Sequence, residues 1–346
     1  MKSWDVIIAG AGIIGVSLAL ELRERGRAVL VLDRGGPGGE ASSAAAGMLA
    51  AADPETPPAL RPIAFESARI FPEFVRKLET AGKMQVDFRR AGTIALLPDA
   101  PAPREYRSLS TDELQRLEPS LKTPGQHAFF VQEDSIDPFL LMQAALAAAR
   151  NLGVEIRGHA EVKNIRARAG ATEVLAGADT FSASFAVDCR GAWSGAPVRP
   201  RKGQMLYVQP QAAMLQHVLR APDVYLVPRS SGKVLIGATV EDVGYDKSVD
   251  PATIHALLIA AAKYLPELAS APITQSWAGL RPGTPDGLPI LGPTDVPGVF
   301  VASGHFRNGI LLSPITAKIM ANLVEGRPSP LDIGAFAPDR FRSSLK

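Results

Sequence analysis

The stretch Asp5–Arg34, DVIIAGAGIIGVSLALELRERGRAVLVLDR, decides the fold. It opens with a β-branched run, Val6–Ala9, that reads as a strand and continues into Gly10-Ala11-Gly12-Ile13-Ile14-Gly15. A helix follows, ending near Gly26, and a second strand, Ala28–Leu32, closes on Asp33. In a G-x-G-x-x-G turn the first glycine permits the tight bend, the second lets backbone approach a pyrophosphate, and the third packs helix on strand. The helix N-terminus is then left facing two phosphates. Asp33 stands at the ~20-residue spacing where a carboxylate accepts hydrogen bonds from ribose hydroxyls and repels a 2′-phosphate, which disfavours NADP. Glycines in a strand-turn-helix can serve packing alone, but here strand, turn, helix, second strand and terminal acid come in order. The fingerprint indicates an adenine dinucleotide and does not choose between NAD and FAD.

The next segment, Gly38–Ala50 (GGEASSAAAGMLA), is neither a third alternating strand nor a long amphipathic helix. Its small side chains let the backbone lie against a flat ligand, with Ser42 and Ser43 offering hydroxyls and Met48 a flexible apolar surface. The alternative is an Ala-rich helix over Ala44–Ala51, packed in a core. With 346 residues, 46% of them hydrophobic, the chain can bury a substantial core in two domains or one large one. Lys plus Arg total 37 against 35 Asp plus Glu, so no strong net field favours nucleic acid or an anionic membrane, and a small partner is expected. The single cysteine, Cys189, cannot form an intramolecular disulfide, and the five histidines show no metal-ligand spacing. The apolar run Val6–Leu20 resembles a secretory leader, but Trp4 and Asp5 precede it and Glu21, Arg23, Glu24 and Arg25 continue a helical pattern without a cleavage site. It also falls short of the ~20 residues needed to span a bilayer. The expectation is a cytoplasmic protein without stable membrane insertion.

Further along, Asp137 and Pro138 read as N-cap and first residue of a helix, Phe139–Leu152, that stops at Gly153. VEIRG (Val154–Gly158) and FAVDCRG (Phe185–Gly191) read as strands, the latter running into Ala192-Trp193. KVLIGATV (Lys233–Val240) alternates, Pro251–Lys263 reads as a helix, and SWAGL (Ser276–Leu280) leads to Arg281 and a Pro-Gly turn. Near the end, SGHFRNG (Ser303–Gly309) sets His305 and Arg307 between two glycines, directly ahead of the helical run Ile310–Val324.

Together GAGIIG with Asp33, SSAAAGM (Ser42–Met48), AGLRPGTPDG (Ala278–Gly287) and SGHFRNGILLSP (Ser303–Pro314) resemble the flavoprotein amine oxidases of the D-amino-acid oxidase family. The resemblance covers nearly the whole chain and is closest to the glycine oxidases of thiamine biosynthesis. It implies an α/β fold in which a Rossmann-like FAD-binding domain is joined by a second, mostly antiparallel β-sheet substrate domain. Residues 1–59, 137–195 and 285–346 would form the former, and residues 60–136 and 196–284 the latter. FAD would be bound non-covalently, since Cys189 lies in a sheet segment and not in the C-terminal region where covalent sarcosine oxidases attach theirs. The implied cofactor-binding residues begin with Gly10, Gly12, Ile13, Ile14, Gly15, Asp33 and Arg34. To these are added Ala41, Ser42, Ala46, Gly47 and Met48, then Val162, and finally His305, Phe306, Arg307, Asn308, Gly309, Ile310 and Leu311.

The activity implied by the resemblance is oxidative deamination of glycine, small D-amino acids or N-methylglycine, by hydride transfer to flavin N5 with O2 reduced to H2O2. Such a transfer demands position more than acid/base residues. Arg281 is the candidate to hold the substrate carboxylate bidentately, with a salt bridge to Asp286 as its structural alternative. Tyr225 resembles the family tyrosine that donates a second hydrogen bond, although a strand tyrosine can equally be half-buried core. Arg307 resembles a second arginine beside the flavin, with decoration of a helix end as its alternative. Free N–H groups of the helix starting near Asn308 and Gly309 suit the negative charge that reduction builds on the flavin N1/C2=O edge. Met48, Val240 and His305 would line the substrate pocket; glycine oxidases often carry Met where Val240 stands, so a side chain larger than hydrogen is expected to fit. Partners would be a small amino acid and O2, and the sequence is compatible with a homo-oligomer. A dehydrogenase passing electrons to a quinone and a non-catalytic nucleotide-binding protein are the alternatives.

Overall fold

The computed structural model describes residues 4–97, 102–168 and 170–345; residues 1–3, 98–101, 169 and 346 lie outside the described residues. Alternation builds the first sheet. Strands Trp4–Ala9 and Val29–Leu32 send Val6, Ile8, Val29 and Val31 into one core, and Ile7, Ala9, Leu30 and Leu32 into another on the opposite face. Burial on both faces contributes about 1.5–3 kcal/mol for each fully buried large aliphatic side chain. Across the sheet the strands run Ile290–Pro293, Val299–Ser303, Asp179–Asp188, Trp4–Ala9, Val29–Leu32, Glu155–Arg157. All neighbours are parallel except the outermost pair, Ile290–Pro293 against Val299–Ser303. A hairpin, Val162–Arg168 and Ala171–Ala176, continues antiparallel from Asp179–Asp188 and covers the second face.

Six α-helices are described: α1 (Ile13–Glu24), α2 (Arg61–Gly82), α3 (Thr111–Leu117), α4 (Pro138–Asn151), α5 (Pro251–Ala262) and α6 (Gly309–Val324). The Asp137 carboxylate accepts from the Phe139 and Leu140 amides, with Pro138 at the first position, as the sequence leads one to expect. Helices α1, α2, α4 and α6 share the first sheet's larger core. The placement of α2 differs from the expectation that residue 60 begins the second unit. Its apolar face, with Ile63, Ala64, Phe71, Val75 and Leu78, is buried there, and Ser67 Oγ donates to the Leu311 carbonyl of α6 at 2.6 Å. Among the described residues no helix is long and apolar enough to cross a membrane.

The second sheet runs Ile273–Gly283, Arg199–Val208, Val234–Gly237, Tyr225–Pro228, Val218–Arg220, Thr93–Leu97, His127–Val131, Arg107–Ser108. Its pairings are antiparallel except Val218–Arg220 with Thr93–Leu97. Val234 and Ile236 face α5, while Leu235 joins Met205, Tyr225 and Trp277 on the face that looks at the first sheet. The strand Ile273–Gly283 continues through Arg281, Pro282 and Gly283 instead of turning after Leu280. Pro282 is tolerated because this strand lies at the sheet edge.

Between the sheets passes Gly38–Ala50, an irregular strap in which no helix forms over Ala44–Ala51. The roof pins its carbonyls: Trp277 Nε1 donates to Ala44 at 3.1 Å, and Arg229 Nη2 to Ala46 at 2.7 Å. Arg229 Nη1 also donates to the Ile136 carbonyl at 3.0 Å, and the side chain is buried. Arg229→Met would leave both carbonyls without a partner, so urea unfolding is expected to show a loss of about 2–4 kcal/mol.

Candidate functional site

One cavity lies where the strap, the first sheet and the roof meet, and most of the residues expected at a site line it. At the dinucleotide end these are Gly10, Gly12, Ile13, Ile14, Asp33, Arg34, Ala41, Ser42 and Val162. Gly10 has φ +105°, and a Cβ there would come within 2.7 Å of the Cys189 carbonyl carbon. A Cβ on Gly12 would sit 3.1 Å from Ser42 Oγ, which accepts from the Ile13 amide at 2.9 Å. Gly15 does not line the cavity; its missing side chain makes room for the Gly10 carbonyl, the packing duty of the third glycine. Asp33 Oδ2 accepts from the Ala11 amide at 2.7 Å, so the acid expected to meet ribose also ties down the glycine turn.

Helix ends supply the electrostatics. Helices α3, α4 and α5 begin on capping side chains, Ser110, Asp137 and Asp250. Helices α1 and α6 carry no side-chain cap, and Gly12, Ile13, Gly309 and Ile310 at their N-termini line the cavity. An anion is the natural complement of such ends. The glycine cradle and two uncapped helices fit a dinucleotide that carries a pyrophosphate midway along its length and gains negative charge at its redox end.

At the roof end, Ala46, Gly47, Met48, Arg281 and Tyr225 line the same cavity. The Arg281 guanidinium lies against Gly203, where any Cβ would overlap it. Tyr225 is opposite Gly237, where a Cβ would come within 2.7 Å of the ring, and its hydroxyl contacts Met205 Sδ at 3.4 Å. Arg281 Nη1 donates to the Thr239 carbonyl at 3.1 Å. The alternative salt bridge is absent: Asp286 pairs with Arg340 at 2.7 Å. Among the described residues Arg281 has no ion-pair partner. Burial pushes the Tyr225 pKa up, opposed by the neighbouring Arg281, so the phenol stays protonated.

The C-terminal loop differs from expectation in detail. His305, Phe306, Arg307, Gly309 and Ile310 line the cavity; Asn308 and Leu311 do not. His305 is buried, its Nε2 lies 3.1 Å from Thr316 Oγ1, and burial lowers its pKa to about 3, so it is neutral and committed to α6. Arg307 pairs with Glu55 at 2.5 Å in an exposed position, so its guanidinium already has a carboxylate partner. Val240 is a correction: it is 57% exposed and does not line the cavity. The cause is local, because Thr239 is fixed by the Gln204 amide at 2.9 Å and Glu241 by backbone exchange with Lys202, which leaves the intervening side chain in solvent.

Sequence reading missed Gly203, Gly237 and Gly279, which give the roof its hollow. Gly279 gives room to the Ala44 methyl, where a Cβ would come within 2.7 Å. Glycines recurring at inward-facing strand positions were the available signal. Glu40, inside Gly38–Ala50, and Trp193, just past FAVDCRG, also line the cavity but were not singled out as site residues.

The chain belongs to the FAD dependent oxidoreductase (DAO) family, which matches residues 5–323. It is 34% identical to a glycine oxidase of Bacillus licheniformis, over 98% of each chain. It is 35% identical to the bifunctional protein ThiO/ThiG of Trichormus variabilis over 98% of its own length, and spans about half (55%) of that relative. A crystal structure of glycine oxidase from Geobacillus kaustophilus superposes with TM-score 0.93 at 31% identity, covering 98% of this chain and 99% of the other. By family the chain is an FAD-dependent oxidoreductase. Since Gly203 makes room for the guanidinium, Gly203→Ala is expected to retain FAD while raising KM for a carboxylate-bearing amine about 10-fold or more. Flavin content and steady-state kinetics check this.

Proposed function

We propose that the chain oxidises glycine, N-methylglycine or a small D-amino acid to its imine, with O2 as the terminal acceptor and non-covalent FAD as cofactor. The observation that carries the reading is the Arg281 guanidinium, which has no carboxylate partner among the described residues and lies in one cavity with Tyr225 and the open end of α6. In this reading residues 1–59, 137–195 and 285–346, with α2, hold the cofactor, and the second sheet roofs it.

Bound FAD supplies the two-electron acceptor for the C–H bond next to the amine. The protein's own part is position. Arg281 takes the substrate carboxylate with charge-assisted hydrogen bonds, and the protonated Tyr225 hydroxyl donates another. Met48 and Met205, packed with Tyr225, give the site an apolar wall that keeps water from the reacting carbon. His305 is held by Thr316 and burial keeps it uncharged, so it brings no second positive charge to the amine. Arg307, paired with Glu55, marks the entrance and leaves the anchoring to Arg281.

Loss of a hydride and a proton turns the amine into an imine, which water hydrolyses to a carbonyl compound and ammonia, or methylamine where the substrate is N-methylglycine; O2 takes two electrons and two protons to become H2O2. The likeness to glycine oxidases supports a small substrate, and the likeness to a ThiO/ThiG protein supports a role for the product in thiamine biosynthesis.

The test is an absorbance spectrum of the holoenzyme on anaerobic addition of glycine, N-methylglycine, D-alanine and D-proline in turn. One of them is expected to bleach the flavin band, with recovery and peroxide on admitting air. A flavin that none bleaches overturns the substrate assignment, and bleaching that air does not reverse overturns the acceptor. Arg281→Ala is expected to keep its FAD and lose about 10²–10⁴-fold in kcat/KM, the equivalent of two charge-assisted hydrogen bonds at ~1.5–3 kcal/mol each. An unchanged kcat/KM would remove Arg281 from the site.

A further inference from the structure

The segment Thr239–Asp250 leaves the roof and returns to it, and both of its ends are fastened to the strand Arg199–Val208. Gln204 holds the two ends at once: its amide donates to Thr239 Oγ1 at 2.9 Å, and its Oε1 accepts from the Asp250 amide at 2.7 Å. Buried Lys202 exchanges backbone hydrogen bonds with Glu241 and places Nζ 3.3 Å from Asp246. A segment so firmly fastened at its base would be a plain surface loop if its tip met solvent alone. Its tip instead crosses to the short helical turn Gly191–Trp193, which follows the strand Asp179–Asp188, and to the strap.

There Tyr245 stacks on Trp193, with ring centroids 5.5 Å apart and planes at 30°, and its hydroxyl donates to the Ala192 carbonyl at 2.9 Å. Lys247 pairs with Glu40 at 3.1 Å, and Glu40 also pairs with Arg34 at 2.6 Å. The Arg34 guanidinium lies 3.6 Å from the Trp193 ring centre. Arg34, Glu40, Ala192 and Trp193 all line the cavity that Asp33 also lines, whereas Tyr245 and Lys247 do not. Tyr245 and Lys247 therefore reach the dinucleotide end from outside the cavity, through side chains that grip its wall.

We propose that Thr239–Asp250 is a clasp that holds Trp193 and Glu40 in place as the wall of the cofactor's adenosine end, and so limits the rate at which FAD leaves. Tyr245 and Lys247 are its positioning residues. The proposal rests on the flavin reading of the cavity and extends it to a part of the chain remote from the amine. Tyr245 is 54% exposed, so truncating it opens no core cavity.

The experiment compares wild-type holoenzyme with Tyr245→Ala, Tyr245→Phe and Lys247→Ala. FAD release is followed by the rise of flavin fluorescence on dilution, and Tm is recorded for the FAD-loaded and FAD-free forms of each. Tyr245→Ala is expected to release FAD about 10-fold faster, losing a ring contact and a hydrogen bond, and Tyr245→Phe only about 2- to 3-fold faster. The Tm gain on adding FAD should shrink in Tyr245→Ala more than the Tm of the FAD-free protein falls. Release from Tyr245→Ala at the wild-type rate, or an equal Tm loss in both forms, overturns the clasp and leaves the flavin reading standing. A wild-type protein that takes up no FAD overturns both.

Discussion

Space for backbone and ligand, created by leaving out Cβ atoms where the two sheets face each other, is the constraint on which the rest of the structure depends. On the first sheet Gly10 and Gly12 bring the chain against Cys189 and Ser42 and leave the turn open to a ligand. On the roof Gly203 and Gly237 make room for the Arg281 guanidinium and the Tyr225 ring, and Gly279 admits the strap at Ala44. Single methyl groups at these points would displace a charged or aromatic side chain or lift the strap from its seat. Because close-packed interiors do not deform smoothly, such shifts are felt across the cavity.

Electrostatics then distributes the chemistry within that space. Helices α1 and α6 open on the cavity without side-chain caps, offering positive ends, while Arg281 is a guanidinium without a carboxylate to neutralise it. Most other arginines near the cavity are spoken for: Arg34 by Glu40, Arg190 by Asp188, Arg307 by Glu55. Among the described residues that line the cavity, an entering anion meets one uncommitted guanidinium, and this selectivity comes from the pairing of its neighbours as much as from Arg281 itself. Titratable groups that could interfere are held back, His305 by burial and Tyr225 by the same cause acting on a phenol.

Local signals made the first sheet legible. Alternating β-branched residues, the glycine turn, Asp33, and Asp137-Pro138 at the head of α4 each act through neighbours in sequence, and the strands and helices form where those signals place them. Arg281 and Tyr225 could be placed in one cavity because their surrounding motifs carried a family resemblance. Relations set by register were hidden. Val240 sits just past the end of a strand, and only the grip of Gln204 and Lys202 on its neighbours turns it to solvent. The role of Gly203 depends on lying across a strand boundary from Arg281, and α2 joins the first core through helix packing that its own amphipathic pattern does not specify.

The central claim is that Arg281 and the flavin share one cavity, with the guanidinium placed to hold a carboxylate beside the ring. The most direct measurement is a titration of the holoenzyme with acetate, a carboxylate with no amine to oxidise, followed by the flavin absorbance. A saturable perturbation in the wild type that is lost in Arg281→Ala is the predicted result. The same saturable perturbation in Arg281→Ala, or none in the wild type, would contradict the account.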